Sequence, residues 1–273
     1  MDSTLKLNAD DPSFLLSDLA SYQRLVGRLL YLTITWPDLS YTVQALIQFM
    51  SNARAMHLQA IERVLQYLKA TPSQGLFLKA YSNLHLKAYS DSDWGGCLDI
   101  KRSVTSFSVF FWDSLISWKS KKQPTIKRSS AEAEYRALTT TTCELQWLVY
   151  LLADFQVPHF QAALLYTDSK PTLKIASNPV HHERTKYIQL DCHLVREKLQ
   201  EGLIKIIHIS SWFQLADILT KPLGCLNFHY LISKMGMINI HSHLEGGCWN
   251  IQNAIDAMEL KSADDGVKVC SHG

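Results

Sequence analysis

Near the start of the chain, hydrophobic residues recur at intervals of three and four, the spacing of one face of an α-helix. The first such stripe begins near Tyr22 and ends at Trp36, because the following Pro37 cannot continue a helix and restricts the residue before it. Two further helices are predicted over 38–50 and 55–70. These elements are expected to form a small helical unit.

The period of the pattern changes to two after residue 83, where apolar and polar side chains alternate as on a half-buried strand. Three strands, ending near Asp91, Trp112 and Trp118, are predicted to form an antiparallel meander. The elements after them are a helix over 131–155, a strand over 163–168, helices over 171–177 and 188–201, a strand over 203–209 and a helix from about 213. This succession predicts an α/β chain in which helices flank a mixed five-stranded sheet.

Composition limits the class of protein rather than its activity. The chain has 273 residues, 47% of them hydrophobic, which is enough for a buried core. Its net charge of +2 means that a nucleic acid would have to be bound by a local basic patch. The 6 cysteines form no CxxC pair, and we find neither a signal-peptide pattern nor an apolar run of membrane-spanning length. We therefore expect a reduced intracellular protein, cytoplasmic or nuclear, with no membrane partner.

The pattern gives the carboxylate of Glu134 an unusual position. In RSSAEAEYRAL, Ser129 and Glu132 form a helix-capping box, which gives Glu132 a structural role. Glu134 instead falls on the side of the helix that carries Leu138 and Leu145 and faces the core. A carboxylate in that position requires either an ion-pair partner or a metal ion. Both interpretations stay open from this segment alone.

Three aspartates lie at the ends of other predicted elements. Asp91 in YSDSDWGG ends a strand, although the stretch is also typical of a turn. Asp168 ends an apolar strand and could cap the next helix, and Asp217 lies in the first turns of the late helix, where it could interact with the helix dipole. If these residues and Glu134 meet at one end of the sheet, their repulsion would require divalent cations. Oxygen ligands favour Mg²⁺ or Mn²⁺, and two such ions would support phosphodiester hydrolysis.

A basic stretch, WKSKKQPTIKR, precedes the helix that carries Glu134. It contains Lys119, Lys121, Lys122, Lys127 and Arg128. Such a run is either a solvated surface or, beside a nuclease site, a surface that binds the phosphates of nucleic acid.

Six motifs occur in order along the chain: YSDSDWGG, LISWKSKKQPT, RSSAEAEYRAL, LYTDSKP, ERTKYIQLDCHLVREK and QLADILTKPL. Together they resemble the C-terminal part of the Pol polyprotein of copia-type LTR retrotransposons. The segment YQRLVGRLLYLTITWPDLSYTVQ resembles the thumb and connection at the end of the reverse transcriptase. The resemblance extends over residues 20 to 248, with departures at Trp36, Tyr187 and Trp212-Phe213.

This resemblance implies a ribonuclease H that cleaves the RNA strand of RNA–DNA hybrids with two Mg²⁺ ions. It implies that Asp91 and Asp168 hold the ions centrally, that Glu134 orients the attacking water and that Asp217 completes the second ion's ligands. Asp93 is left as a turn or supporting residue. The chain has no Tyr-x-Asp-Asp polymerase motif, so polymerisation would need a reverse-transcriptase partner.

Pattern and resemblance together divide the chain into five segments. They are a flexible leader (1–18), a helical thumb and connection segment (19–80), a ribonuclease H-like domain (84–222), a C-terminal helical extension (223–245) and a disordered tail (246–273). Two other functions stay open: an inactive transposon remnant that binds nucleic acid or protein, and an integrase-like enzyme. The second fits less well, because integrase-like sites use two aspartates and a later glutamate, whereas Glu134 precedes Asp168.

Overall fold

The computed structural model of the chain describes residues 7–8, 12–80, 85–97, 99–157, 159–177 and 188–239. The α-helices in these ranges are α1 (Leu19–Leu32), α2 (Ser40–Ile47), α3 (Ala55–Ala70), α4 (Ser130–Asp154), α5 (Lys170–Ser177), α6 (Gln189–Gln200) and α7 (Cys225–Lys234). The strands are β1 (Gln74–Leu76), β2 (Leu86–Asp93), β3 (Val104–Phe111), β4 (Ser114–Lys122), β5 (Ala163–Thr167), β6 (Ile204–His208) and β7 (Met237–Asn239). Short 3-10 helices include Pro37–Leu39, Ser211–Phe213 and Leu215–Leu219.

The chain divides into two compact units, residues 1–238 and residues 239–273. The predicted tail over 246–273 and Tyr187 lie outside the described residues, as does part of the predicted leader. In the described part of the chain, no helix has both the length and the apolar character that a membrane span requires.

The main sheet has five strands in the order β4-β3-β2-β5-β6. β2, β3 and β4 form the predicted antiparallel meander, and β5 and β6 add to it in parallel with β2. Because β2 and β5 are parallel neighbours, their carboxyl ends lie at the same edge of the sheet. The predicted fold class, an α/β chain with a mixed five-stranded sheet and flanking helices, is confirmed.

Helix α4 packs its apolar side on this sheet. Leu138 and Leu145 of the helix share a buried core with Leu86, Phe107 and Leu165 of the strands. The same helix contains a run of four threonines whose hydroxyls each donate to the carbonyl oxygen four residues earlier, at 2.8–2.9 Å. These bonds satisfy the hydroxyls within the helix, so a polar run is accommodated in a mostly buried element.

The helical unit has its own core and is docked on the sheet. Tyr22, Val26 and Leu46 belong to this second core. The indole Nε1 of Trp118 on β4 donates to the Thr33 carbonyl oxygen that follows α1, at 2.8 Å. A half-buried hydrogen bond and contacts between α2 and β4 thus join the two parts of the first unit.

The structure differs from the sequence expectations in several elements, among them the first two helices, since α1 already ends at Leu32 and the helix predicted over 38–50 is the 3-10 helix Pro37–Leu39 followed by α2. The helix predicted from about 213 is a pair of 3-10 helices followed by α7, because the backbone of Gln214 between them is extended. Strand β4 continues to Lys122, four residues beyond the predicted end at Trp118. The two-stranded sheet formed by β1 and β7 was not predicted, since strands of three residues are too short to show an alternating pattern.

Candidate metal centre

Three of the four predicted carboxylates come together at one edge of the sheet. One oxygen each of Asp91, Glu134 and Asp168 lies within 4.8 Å of the others. Asp91 is near the end of β2, Asp168 directly follows β5, and Glu134 is in the second turn of α4. The parallel pairing of β2 and β5 brings the two aspartates to this edge, and α4 begins beside it.

Asp217 adjoins this group through Asp91. The two carboxyl groups lie close enough for the charge of Asp91 to act on Asp217. Its Oδ2 atom lies 2.9 Å from Nζ of Lys221, which follows four residues later. Between them, the hydroxyl of Thr220 donates to Oδ2 of Asp91 at 2.5 Å. The segment that brings Asp217 to the site therefore also brings the ammonium group of Lys221 and the hydroxyl of Thr220.

Buried hydrogen bonds fix the segment that carries Asp217. The side-chain amide of Gln214, a fully buried residue, donates to the carbonyl oxygen of Ser90 on β2 at 3.0 Å. The hydroxyl of Ser106 on β3 donates to the carbonyl oxygen of Ala216, also at 3.0 Å. The 3-10 helix is thus attached to two strands of the sheet.

Burial and like charges raise the pKa values of two of the carboxyl groups. Burial, followed by the negative charges of Asp91 and Asp168, raises the pKa of Glu134 to about 9. Burial, followed by the charge of Asp91, also raises the pKa of Asp217. For Lys221, burial lowers the pKa, but Asp91 and Asp217 more than offset that effect and the net pKa is raised. Without a bound cation, the fold therefore favours the protonated forms of Glu134 and Asp217.

Two buried carboxylate oxygens fit a cation site. Oε2 of Glu134 and Oδ1 of Asp217 have no hydrogen-bond partner within the described ranges. The backbone N–H of Ser92 donates to the Glu134 carboxylate, and no lysine or arginine there forms an ion pair with it. Buried acceptors are costly unless they are bound. An all-oxygen set with free acceptors suits a hard divalent cation.

Asp168 does not cap the helix that follows it. Ser169 takes that place, since its Oγ lies 2.7 Å from the hydroxyl of Thr172 and accepts from the Thr172 N–H at 3.4 Å. Asp168 instead accepts a hydrogen bond from the hydroxyl of Ser211 at 2.6 Å. The carboxylate is thus oriented by a side chain near the Asp217 segment and stays part of the acidic group.

The turn after β2 explains the neighbouring residues of YSDSDWGG. The pKa of Asp93 is raised, first by burial and then by the charge of Asp91. A Cβ atom on Gly96 would lie 1.7 Å from Oδ2 of Asp93, and Gly95 has a φ of +66°. Both glycines are therefore required by the turn, one by close approach and one by backbone conformation.

The basic residues lie on β4 and in the loop before α4. Lys119, Lys121 and Arg128 are exposed, whereas Lys122 and Lys127 are half-buried. Nζ of Lys122 donates to the sulfur of Cys97 at 3.3 Å. The indole Nε1 of Trp94, in the turn after β2, donates to the carbonyl oxygen of Lys127 at 3.1 Å, which fixes this loop beside the acidic group.

Gln214, Thr220 and Lys221 are residues of the site that sequence patterns did not single out. All three lie in or next to the motif QLADILTKPL, within four residues of Asp217. Their closeness to Asp217 in the sequence is the signal that could have identified them. Their contacts with β2 and with the acidic group depend on the tertiary fold.

Comparison with known proteins identifies the family. No protein-family model matches the chain. It is 42% identical over 225 residues to the retrovirus-related Pol polyproteins from transposons RE1 and RE2 of Arabidopsis thaliana, a match that covers 82% of this chain. The crystal structure of LC11-RNase H1 in complex with an RNA/DNA hybrid matches 50% of this chain and 93% of its own, with 14% identity and a TM-score of 0.39. The chain spans only 15% and 16% of the lengths of the RE1 and RE2 polyproteins. By this sequence similarity, the chain belongs to the family of retrovirus-related Pol polyproteins of copia-type transposons.

Proposed function

We propose that the chain is a divalent-metal-dependent ribonuclease H that hydrolyses the RNA strand of RNA–DNA hybrids. The observation that carries this proposal is the approach of Asp91, Glu134 and Asp168 to within 4.8 Å of one another at the carboxyl edge of the sheet. The family membership supports it, because the chain corresponds to part of a Pol polyprotein. The raised pKa of Glu134 further supports a site completed by cations.

Asp91, Glu134, Asp168 and Asp217 would hold two Mg²⁺ ions, or Mn²⁺ in their place. When bound, such ions activate a water molecule and stabilise the leaving oxygen of a phosphodiester. The hydroxyls of Thr220 and Ser211 orient Asp91 and Asp168 respectively. The buried Oε2 of Glu134, which accepts no hydrogen bond from the described residues, is available to hold the attacking water.

The proposed substrate is bound through its backbone. Lys119, Lys121, Lys122, Lys127 and Arg128 would contact its phosphates, and the loop of Lys127 is tied to the turn beside the acidic group. A hybrid differs from duplex DNA in its shape and in the 2′-hydroxyls of one strand. The reverse-transcriptase part of a full-length element is the proposed source of such hybrids.

Cleavage of an end-labelled RNA–DNA hybrid tests the proposal. With Mg²⁺, the wild-type chain should cut the RNA strand and leave the DNA strand intact, whereas Asp91→Asn should lose at least about a hundredfold in rate, since one carboxylate of the central ligand set is removed. Asp154→Asn, at the far end of α4 and exposed, is the matched control and should keep full activity.

Other outcomes would favour the other functions. Hybrid binding without metal-dependent cleavage by the folded wild-type chain would favour a binding module. Strand transfer on DNA ends, with no cleavage of RNA, would favour an integrase-like enzyme.

A further inference from the structure

A cavity of about 460 Å³ lies on the face of the sheet opposite α4. Leu86 and Ala88 of β2 face the core that α4 covers, so the alternating residues Lys87 and Tyr89 point to the other side and line the cavity. The carboxylates proposed for the metal site and the cations of the basic stretch do not line it. The cavity is therefore a separate feature of the molecule.

The side chains that line the cavity carry a positive balance of charge. Nζ of Lys79 and Nζ of Lys87 lie 2.9 Å and 3.2 Å from the two carboxylate oxygens of Asp113. Lys234 also lines the cavity, with its Nζ 5.4 Å from the centre of the Tyr230 ring. Three ammonium groups and one carboxylate leave a formal charge of +2. Such a cavity favours an anionic ligand.

Aromatic side chains connect the cavity with the acidic edge of the sheet. Ser211 donates a hydrogen bond to Asp168 at 2.6 Å, and Trp212 and Phe213 follow in the same 3-10 helix. Phe213 lines the cavity, and the ring of Trp212 stacks on that of Tyr230 with centroids 6.2 Å apart. Trp212 is 43% exposed and Phe213 is 41% exposed. Both rings thus keep a surface on which a further ring can stack.

We propose that this cavity, together with Trp212 and Phe213, binds an unpaired strand of nucleic acid that continues from the hybrid. A duplex keeps the faces of its bases stacked inside the helix, so only an unpaired strand offers both free base faces and phosphates. Its bases stack on Trp212 and Phe213, and its phosphates approach Lys87 and Lys234. The inference rests on the proposed function only for the position of the hybrid, because binding of the strand needs neither a cation nor cleavage.

Hybrids with and without an unpaired extension test this inference. Fluorescence anisotropy in Ca²⁺ compares a blunt hybrid, the same hybrid with an extension of about eight nucleotides on either strand, and an isolated single strand of about ten. The wild-type chain should bind an extended hybrid about tenfold or more tightly than the blunt one, and it should also bind the single strand. Because every base has an aromatic face, the sequence of the extension should matter little.

Variants of Trp212 assign the added affinity to this surface. Trp212→Ala should lower the affinity for the extended hybrid and for the single strand about fivefold or more and leave that for the blunt hybrid unchanged. Trp212→Phe keeps an aromatic face and should retain most of the added affinity. Trp147→Ala, which removes an exposed tryptophan from α4, is the matched control and should bind all three nucleic acids as the wild type does.

The outcomes separate this inference from the proposed function. Equal binding of blunt and extended hybrids would overturn the inference and leave the proposed function standing. If the chain binds the single strand through Trp212 but neither binds nor cuts the hybrid, the proposed function fails and the strand site remains. Displacement of the strand by adenosine monophosphate at equal concentration would mean that a free nucleotide, and not a strand, is the ligand.

A second variant covers the case in which Trp212→Ala does not fold, as judged by circular dichroism. Phe213→Ala removes the other exposed ring of the same 3-10 helix and should also weaken binding of the single strand about fivefold or more. Phe160→Ala, at an exposed phenylalanine before β5, is its matched control. Unchanged binding of the single strand by folded Phe213→Ala would overturn the inference.

Discussion

At Glu134 the metal-free fold and the proposed chemistry make opposite demands on one carboxyl group. Burial and the neighbouring charges of Asp91 and Asp168 raise its pKa to about 9, so the protonated form is favoured near neutral pH. A metal ligand must be ionised. Cation binding is therefore expected to release a proton from this residue. Ionising Glu134 costs free energy in the metal-free protein, and a bound cation would offset that cost.

Glu134→Gln should stabilise the metal-free protein at alkaline pH. The folded-state pKa of about 9 lies above the ordinary value of 4.5, so the folded protein holds the proton between these two values. Its free energy of unfolding consequently decreases as pH rises through that window. Glutamine removes this term, and we expect a gain of about 1 kcal/mol or more at pH ~8.5 and no gain at pH ~4.

Chemical denaturation in EDTA at both pH values measures this difference. The matched control is Glu62→Gln on the exposed surface of α3, which should leave the pH dependence of the wild type unchanged. An equal pH dependence in wild type and Glu134→Gln would show that the group ionises freely in the fold.

Among the elements, the segment from 211 to 219 shows what the sequence could and could not predict. Asp91 and Asp168 are recognisable because each ends an apolar strand pattern, and Glu134 because helical periodicity puts it on the side that faces the core. The apolar residues around Asp217 likewise predicted a helix, but the segment is 3-10. Its form depends on Gln214, whose side chain contacts a residue 124 positions earlier, and such a contact leaves no local trace in the sequence.

Gly96→Ala should destabilise the turn after β2. The added Cβ would lie 1.7 Å from Oδ2 of Asp93, so the half-buried carboxylate must move, at a cost of about 1–3 kcal/mol. Gly27→Ala is the matched control, because Gly27 is inside α1 with open space around it and should gain about 0.5–1 kcal/mol.

Thermal denaturation of both variants, and of Gly96→Ala in an Asp93→Ala background, shows whether the Asp93 carboxylate or the backbone of Gly96 causes the loss of stability. Removal of the Asp93 carboxylate should abolish most of the cost of Gly96→Ala. A cost that is unchanged in that background would mean that the backbone of Gly96, and not the close approach of the carboxylate, sets the requirement for glycine.

At the scale of the whole molecule, the helical unit and the sheet belong to the same compact part of the chain, residues 1–238. The basic residues lie beside the edge of the sheet that carries Asp91 and Asp168. The bond between Trp118 and Thr33 attaches α1 to the strand that carries Lys119 and Lys121. The bond between Trp94 and Lys127 attaches the loop before α4 to the turn after β2. Cations on anchored backbone segments beside an anionic site are the arrangement expected for a protein that binds a phosphate backbone.

Replacement of the exposed and loop cations by glutamine should weaken hybrid binding and its salt dependence together. Each phosphate that is no longer neutralised by a cation should decrease the slope of log K against log salt by about 0.9 or less. The variant combines changes at Lys119, Lys121, Lys127 and Arg128. A control of equal charge combines Arg28, Lys69, Lys174 and Lys205, which are exposed elsewhere.

Fluorescence anisotropy at several salt concentrations, in Ca²⁺ to prevent cleavage, measures both variants. The control should keep the wild-type slope. If the two variants weaken binding equally, net charge and not this surface determines affinity.

The hydrogen bonds from Gln214 to Ser90 and from Thr220 to Asp91 join residues 124 and 129 positions apart. During synthesis they cannot form until nearly all of the intervening chain has left the ribosome. The β2–β4 meander involves much shorter loops, so its closure costs less entropy and it is expected to form first. An early folding intermediate would thus possess the sheet but neither Asp217 nor Lys221 at its edge. The order of folding is therefore expected to delay completion of the proposed metal site until the segment with Asp217 has docked on the sheet.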